Sequence, residues 1–275
     1  MTVLHEAARV FGDPITQRAQ IPLARRIVVK VGSSSISGEN AGHISMLVDA
    51  LAEAHARGCE VVLVSSGAIA TGMPFLKLDA RPTDLATQQA AAAVGQNLLI
   101  YRYQDSLDRF DIVAGQVLLT AGDLENAVPR ANAQRAMERL LTLRILPIVN
   151  ENDTVATQEI RFGDNDRLAS LVAELVRADL LILLSDVDAL YTRPPGEPDA
   201  ERISHVPYGR DLTGITFGEI PTVGVGTGGA ATKVAAAIFA AHSGTPVLLA
   251  ATTDVAAALA GDTLGTWFDA APRRN

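Results

Sequence analysis

Short runs that are apolar through their centres, alternating with segments of helical periodicity, constrain this chain more than any other feature. "RIVVKV" (26–31), "CEVVLVSSG" (59–67), "FDIVAGQVLL" (110–119), "ILPIVNEND" (145–153), "DLLILLSDVDALYT" (179–192) and "TPVLLAAT" (245–252) are such runs. A strand with no polar face needs cover on both sides, and a parallel sheet sandwiched between helices supplies it. Between the runs lie helical patterns such as "AGHISMLVDALAEAHARG", "LATQQAAAAVGQNLLIYRYQDSL", "NAQRAMERLLTLR", "RLASLVAELVRA" and "ATKVAAAIFAAHSG". The expected fold is therefore α/β, a three-layer αβα sandwich around a central, mainly parallel sheet. A final short strand is expected near "GTWF".

At 275 residues, 48% hydrophobic and 20% charged, the chain can bury a substantial core in one large domain or two smaller ones. The expected division is an extension over residues 1–24, either a docking helix or disordered, and a domain over residues 25–270. A formal net charge of −8 argues against nucleic acid or an anionic membrane as partners. The single cysteine, Cys59, excludes an intrachain disulfide and a multi-thiolate metal site, so a cytoplasmic setting is expected. No stretch approaches the roughly 18 apolar residues that span a bilayer. The five histidines lack metal-ligand spacing, and no protein-bound metal is expected.

An acidic protein that binds an anion needs a local device, and parallel sheets gather ligands at the carboxyl ends of their strands. The unusual loops fall there: 32–35, 65–67, 150–153 and 185–188. "GVGTGGAATK" (224–233) adds a glycine loop running into a helix, where successive backbone N–H groups make an anion site. The same glycines also fit a plain turn. The chain has three lysines among 23 basic residues: Lys233 ends this loop, Lys30 precedes the loop "GSSS", and Lys77 reads as a surface residue. The glycines at 224, 226 and 229 match a dinucleotide fingerprint in letters only, because no buried strand precedes them. A Walker A loop and a serine-hydrolase elbow are absent. "NENDTV" (150–155) and "GDND" (163–166) read either as turns and caps or as a polar ligand site. Amides beside carboxylates suit an α-amino acid, whose ammonium needs acceptors and whose carboxylate needs donors.

"VVKVGSSS", "VSSGAIATG", "NENDTVAT", "RFGDND", "LLSDVDALYT" and "GVGTGGAATK" occur in that order from about Arg26 to Trp267. Together they resemble the glutamate 5-kinases of the amino acid kinase superfamily. The resemblance implies the amino acid kinase fold; many of these enzymes continue into a C-terminal PUA domain, and this chain departs from them in that none is expected. It implies ATP-dependent phosphorylation of the side-chain carboxylate of L-glutamate, the first step of proline synthesis. Lys30, Lys233 and Asp166 would then be catalytic, with Lys30 at the transferring phosphate and Asp166 orienting both lysines. Ser66, Asp153 and Asn165, with Gly67 and Asn150 nearby, would hold glutamate in an N-terminal lobe. Ser185, Asp186, Thr227, Gly228, Gly229, Ala230, Ala231, Thr232 and Lys233 would hold ATP in a C-terminal lobe, with Mg²⁺ bound through its phosphates. The resemblance also implies L-proline as a feedback inhibitor and a homo-oligomer. Rival expectations are a sibling kinase acting on aspartate or acetylglutamate, and a non-catalytic amino-acid or nucleotide sensor.

Overall fold

A computed structural model describes residues 14–156, 165–216 and 229–272. The elements run β1 (Arg26–Val31), α1 (His43–Ala56), β2 (Glu60–Val64), α2 (Ala68–Gly72), α3 (Leu85–Leu107) and β3 (Ala114–Leu119). Then follow α4 (Ala121–Glu125), α5 (Ala127–Thr142), β4 (Leu146–Glu151), α6 (Asn165–Leu175) and β5 (Leu180–Ser185). The chain continues through β6 (Leu190–Tyr191), β7 (Arg202–Ile203), β8 (His205–Val206), α7 (Ala230–His242), β9 (Val247–Ala251), α8 (Val255–Ala260) and β10 (Thr266–Phe268).

Eight of the strands form one sheet in the order β3-β4-β2-β1-β5-β9-β10-β8, and β6 pairs with β7 separately. Pairing is parallel from β3 through β9, and β10 runs antiparallel to β9. Consecutive residues of one strand feed opposite faces of the sheet. Ile27, Val29 and Val31 join the core beneath α1, α3 and α8. Val28 joins the opposite core, beneath α5, α6 and α7. The two cores and the sheet between them are the expected three layers.

β1 is central, and its ends are polar. At its start Arg26, 2% exposed, donates from Nε to Glu60 at 2.7 Å and grips both Glu138 oxygens at 2.6 and 2.9 Å. Asp179 accepts from the backbone amides of Arg25 and Arg26 at 3.0 and 2.9 Å. These bonds tie β1 to β2, to α5 and to the turn before β5, so its register is held from below. At the other end Lys30 lies opposite Val64 of β2 and Leu183 of β5. It falls on the same face as Val28, toward α6 and α7.

Two expected strands are shorter than their apolar runs. Asp108–Phe110 form a 3₁₀ turn, and β3 begins only at Ala114. "LLILLSDVDALYT" breaks after Ser185, because the "SDVD" residues take local polar partners: Ser185 donates to Asp186, and Asp188 accepts from Tyr191 and Arg202. Of the N-terminal residues, 18–23 form a 3₁₀ helix that buries Ile21 in the first core.

The tightest contact is between α2 and α3. A Cβ at Gly95 would lie 1.8 Å from the Ala68 carbonyl oxygen and 2.5 Å from the Gly72 amide nitrogen. Only glycine lets these backbones meet, and the contact anchors the segment just after Gly67. Gly95→Ala must therefore push α2 off α3. Thermal unfolding should show a midpoint lower by about 5 °C or more, the consequence of overpacking by a few kcal/mol. An unchanged midpoint would mean that the two helices are not held this closely.

Candidate active site

The carboxyl ends of β1, β2, β4 and β5 and the first turns of α6 and α7 converge on one place. Its centre is Asp166, the second residue of α6, with no exposed surface. Lys30 Nζ stands 2.5 Å from Asp166 Oδ1, and Lys233 Nζ stands 3.2 Å from Asp166 Oδ2. The lysines are themselves buried, 3% and 8% exposed. Thr232 Oγ1 lies 3.5 Å from Asp166 Oδ2 and donates to the Gly229 carbonyl at 2.8 Å. One carboxylate thus organises two ammonium groups that arrive from different elements, a strand end and a helix.

Burial alone would raise the Asp166 carboxyl, but the Lys30 and Lys233 ammonium groups outweigh it and hold it below its ordinary value. A depressed carboxyl stabilises the fold above the ordinary value of 3.8, and that stabilisation is lost as pH falls through the lower folded value. Asp166 is therefore an ionised carboxylate at neutral pH, set against two ammonium groups. The surplus positive charge, removed from water, suits an incoming anion.

Beside the triad lies a network of amides. Asn165 Nδ2 is 2.9 Å from each of three oxygens: the Ser65 carbonyl, Ser66 Oγ and Asn150 Oδ1. Asn150, 1% exposed, accepts through Oδ1 from the Glu151 amide at 2.9 Å and donates through Nδ2 to Gln96 Oε1 at 2.7 Å. Ser65 Oγ and the Tyr103 hydroxyl are 2.9 Å apart, and burial raises the Tyr103 hydroxyl further above its ordinary range. Gly67 makes the turn at φ +98, a conformation that L side chains rarely adopt.

The structure thus brings together Lys30, Asp166, Thr232 and Lys233 in one cluster and Ser66, Asn150 and Asn165 in the next. Gly67 adjoins Ser66, and Asp153 sits half-buried in the turn after β4. Ser185 and Asp186 end β5, where Ser185 Oγ donates to Asp186 at 3.0 Å. Among the described residues no hydrogen bond joins that pair to the lysines. Gly229 is the N-cap of α7 and Ala230, Ala231 and Thr232 are its first turn, whose amides lack partners within the helix. Thr227 and Gly228 lie outside the described residues. Among the described residues no group of three His, Cys, Asp or Glu side chains could hold a metal ion. Gln96 and Tyr103 were not apparent as site residues in the sequence. Their signal is a pair of polar groups seven residues apart on the buried face of α3, beside Leu99.

Comparison with known proteins identifies the family. A sequence model of the amino acid kinase family matches residues 25–251. The chain is 75% identical over 256 residues to a glutamate 5-kinase of Clavibacter sepedonicus, covering 93% of this chain and 98% of that one. With a glutamate 5-kinase of Leifsonia xyli it shares 73% identity, covering 92% and 94% of the two chains. With that of Thermobifida fusca it shares 54%, covering 94% of this chain and 67% of the relative. Among solved structures, carbamate kinase from Giardia lamblia bound to AMP-PNP superimposes with a TM-score of 0.65 at 16% identity, covering 91% of this chain and 100% of that one. An isopentenyl phosphate kinase gives 0.60 at 18%, covering 88% and 99%. At such identities the likeness concerns the fold. On the family match and the near-full-length identity, the chain belongs to the amino acid kinase family, among the glutamate 5-kinases.

Proposed function

We infer that this chain transfers the γ-phosphoryl group of ATP to the side-chain carboxylate of L-glutamate, giving L-glutamate 5-phosphate and ADP. The observation that carries this reading is the buried Lys30–Asp166–Lys233 triad, at 2.5 and 3.2 Å. A carboxylate oxygen of glutamate forms the new bond to phosphorus as the bond to the β,γ-bridging oxygen breaks, and ADP leaves with that electron pair. The acceptor carboxyl, with an ordinary value near 4.3, is already ionised at pH 7, so no residue need remove a proton. What remains is alignment and neutralisation of the charge on the migrating group. Lys30 and Lys233 serve that purpose, and Asp166 positions them.

The sheet order supports a division of labour across β1. Ser66, Gly67, Asn150, Asp153 and Asn165, which we assign to glutamate, follow or lie on strands to one side of β1 or open α6. Ser185, Asp186 and residues 229–233 belong to the β5 and β9 side, and we assign them, with Thr227 and Gly228, to ATP. Mg²⁺, which favours substrate phosphates and few protein carboxylates, would be held by ATP; both oxygens of Asp166 already face lysines. When bound it would neutralise phosphate charge.

Among the described residues no helix is long and apolar enough to cross a membrane. We propose a cytoplasmic enzyme, in keeping with its single, buried cysteine. We also propose a homo-oligomer, in keeping with exposed Phe75, Tyr101, Val113 and Val128. L-proline, which like glutamate sets an α-carboxylate beside a protonated α-amine, is proposed as a feedback inhibitor.

Purified protein should form ADP only when glutamate is present, and hydroxylamine should trap the acyl phosphate. Turnover with aspartate or acetylglutamate but not glutamate, or binding without turnover, would overturn the assignment. Lys30→Arg and Lys233→Arg keep the charge but replace a compact ammonium with a wider planar group. Each should lower kcat by about 10²-fold or more, while ATP affinity measured by titration changes far less. Near-normal turnover in both variants would reduce the lysines to nucleotide attractors. Asn165→Ala should raise the glutamate KM by about 10²-fold, with the ATP KM little changed. The reverse pattern would exchange the two halves of the site.

A further inference from the structure

The network beside the triad contains three side-chain amides, each of which could in principle present either end to its neighbours. Two backbone groups remove that freedom. The Glu151 N–H can only donate, so the atom of Asn150 that meets it at 2.9 Å is Oδ1. Nδ2 of Asn150 then faces Gln96, whose Oε1 accepts at 2.7 Å. The Ser65 carbonyl can only accept, so the atom of Asn165 that meets it at 2.9 Å is Nδ2, and the same nitrogen reaches Asn150 Oδ1. With both amides fixed, Asn165 Oδ1 has one orientation left. It is buried and has no hydrogen-bond partner among the described residues. A buried acceptor without a donor is unfavourable until something supplies one.

We propose that Gln96 is a positioning residue for the amino-acid substrate, acting through Asn150 to hold Asn165 with its oxygen toward the substrate's α-ammonium. The inference rests on the glutamate-kinase reading above and adds to it a residue of α3 and a direction for the amide. Gln96 is 8% exposed, on the turn of α3 that begins at Gly95, the glycine packed against α2. If Gln96 offered no acceptor, Asn150 Nδ2 would be left buried without a partner. Asn150 could not simply rotate, because Nδ2 would then face the Glu151 amide and Asn165 Nδ2, a donor against two donors. Its side chain would instead shift toward another acceptor, and Oδ1 would loosen its hold on Asn165 Nδ2, one of the three contacts that orient that amide.

The test compares glutamate with glutarate, which has the same two carboxylates and no ammonium. The native protein should prefer glutamate by about 10²-fold or more in kcat/KM, as expected for a site built around a hydrogen bond that the analogue lacks. Gln96→Met, similar in volume and without a strong acceptor, should raise the glutamate KM by about 10-fold or more and shrink that preference by a similar factor. The ATP KM should stay within about 2-fold. Gln96→Glu keeps an oxygen toward Asn150 and should retain most of the native preference. A merely structural role would lower the melting temperature of both variants and leave the preference for glutamate unchanged; that result would overturn the proposal. Native protein that does not distinguish glutarate from glutamate would overturn it without any variant, should Gln96→Met fail to fold. Native protein that turns over neither substrate would instead defeat the kinase reading.

Discussion

Asp166 is an ionised group with no contact with water, and everything around it answers to that fact. A buried carboxylate is tolerable only when paired, and a buried lysine only when countered, so three costly groups make one another affordable. The requirement reaches far into the fold. Lys30 must leave the central strand on the face toward α6, so the register of β1 cannot slip by one residue without turning the ammonium into the opposite core. The Arg26 bonds to Glu60 and Glu138 and the Asp179 cap hold that register from the far end. Lys233 must leave α7 one turn from its start, which brings the helix terminus beside the same carboxylate.

On the function proposed above, the position of β1 also sets where two substrates would meet. Three strands lie beyond it on one side and four on the other. Loops from one side carry amides and hydroxyls, which suit a zwitterion. The other side carries a helix terminus and small residues, which suit phosphates. A group crossing from one substrate to the other would then pass over the central strand, where Lys30 stands.

The layered fold was legible in the sequence because the signal is redundant: every central strand is apolar on both faces, and α3 runs from Leu85 to Leu107 as its periodicity indicated. The strand ends were less legible. An apolar run does not tell where the sheet stops, and in "LLILLSDVDALYT" it was the side-chain bonding of Ser185, Asp186 and Asp188 that ended β5. The lysines and Asp166 could be found from their motifs. Gln96 could not, since a glutamine inside "AAAAVGQNLL" looks like any polar residue on a helix. Its significance comes only from a partner 54 positions away, across the interior.

The scarcity of lysine has a chemical corollary. Of the three lysines, Lys30 and Lys233 are sealed against Asp166, and only Lys77 stands open to solvent, on the turn after Met73–Leu76. Reagents that attack amines therefore meet one accessible side chain. The molecule can carry a dye or a tether at a single known lysine, while the two buried ammonium groups are shielded by their ion pairs with Asp166.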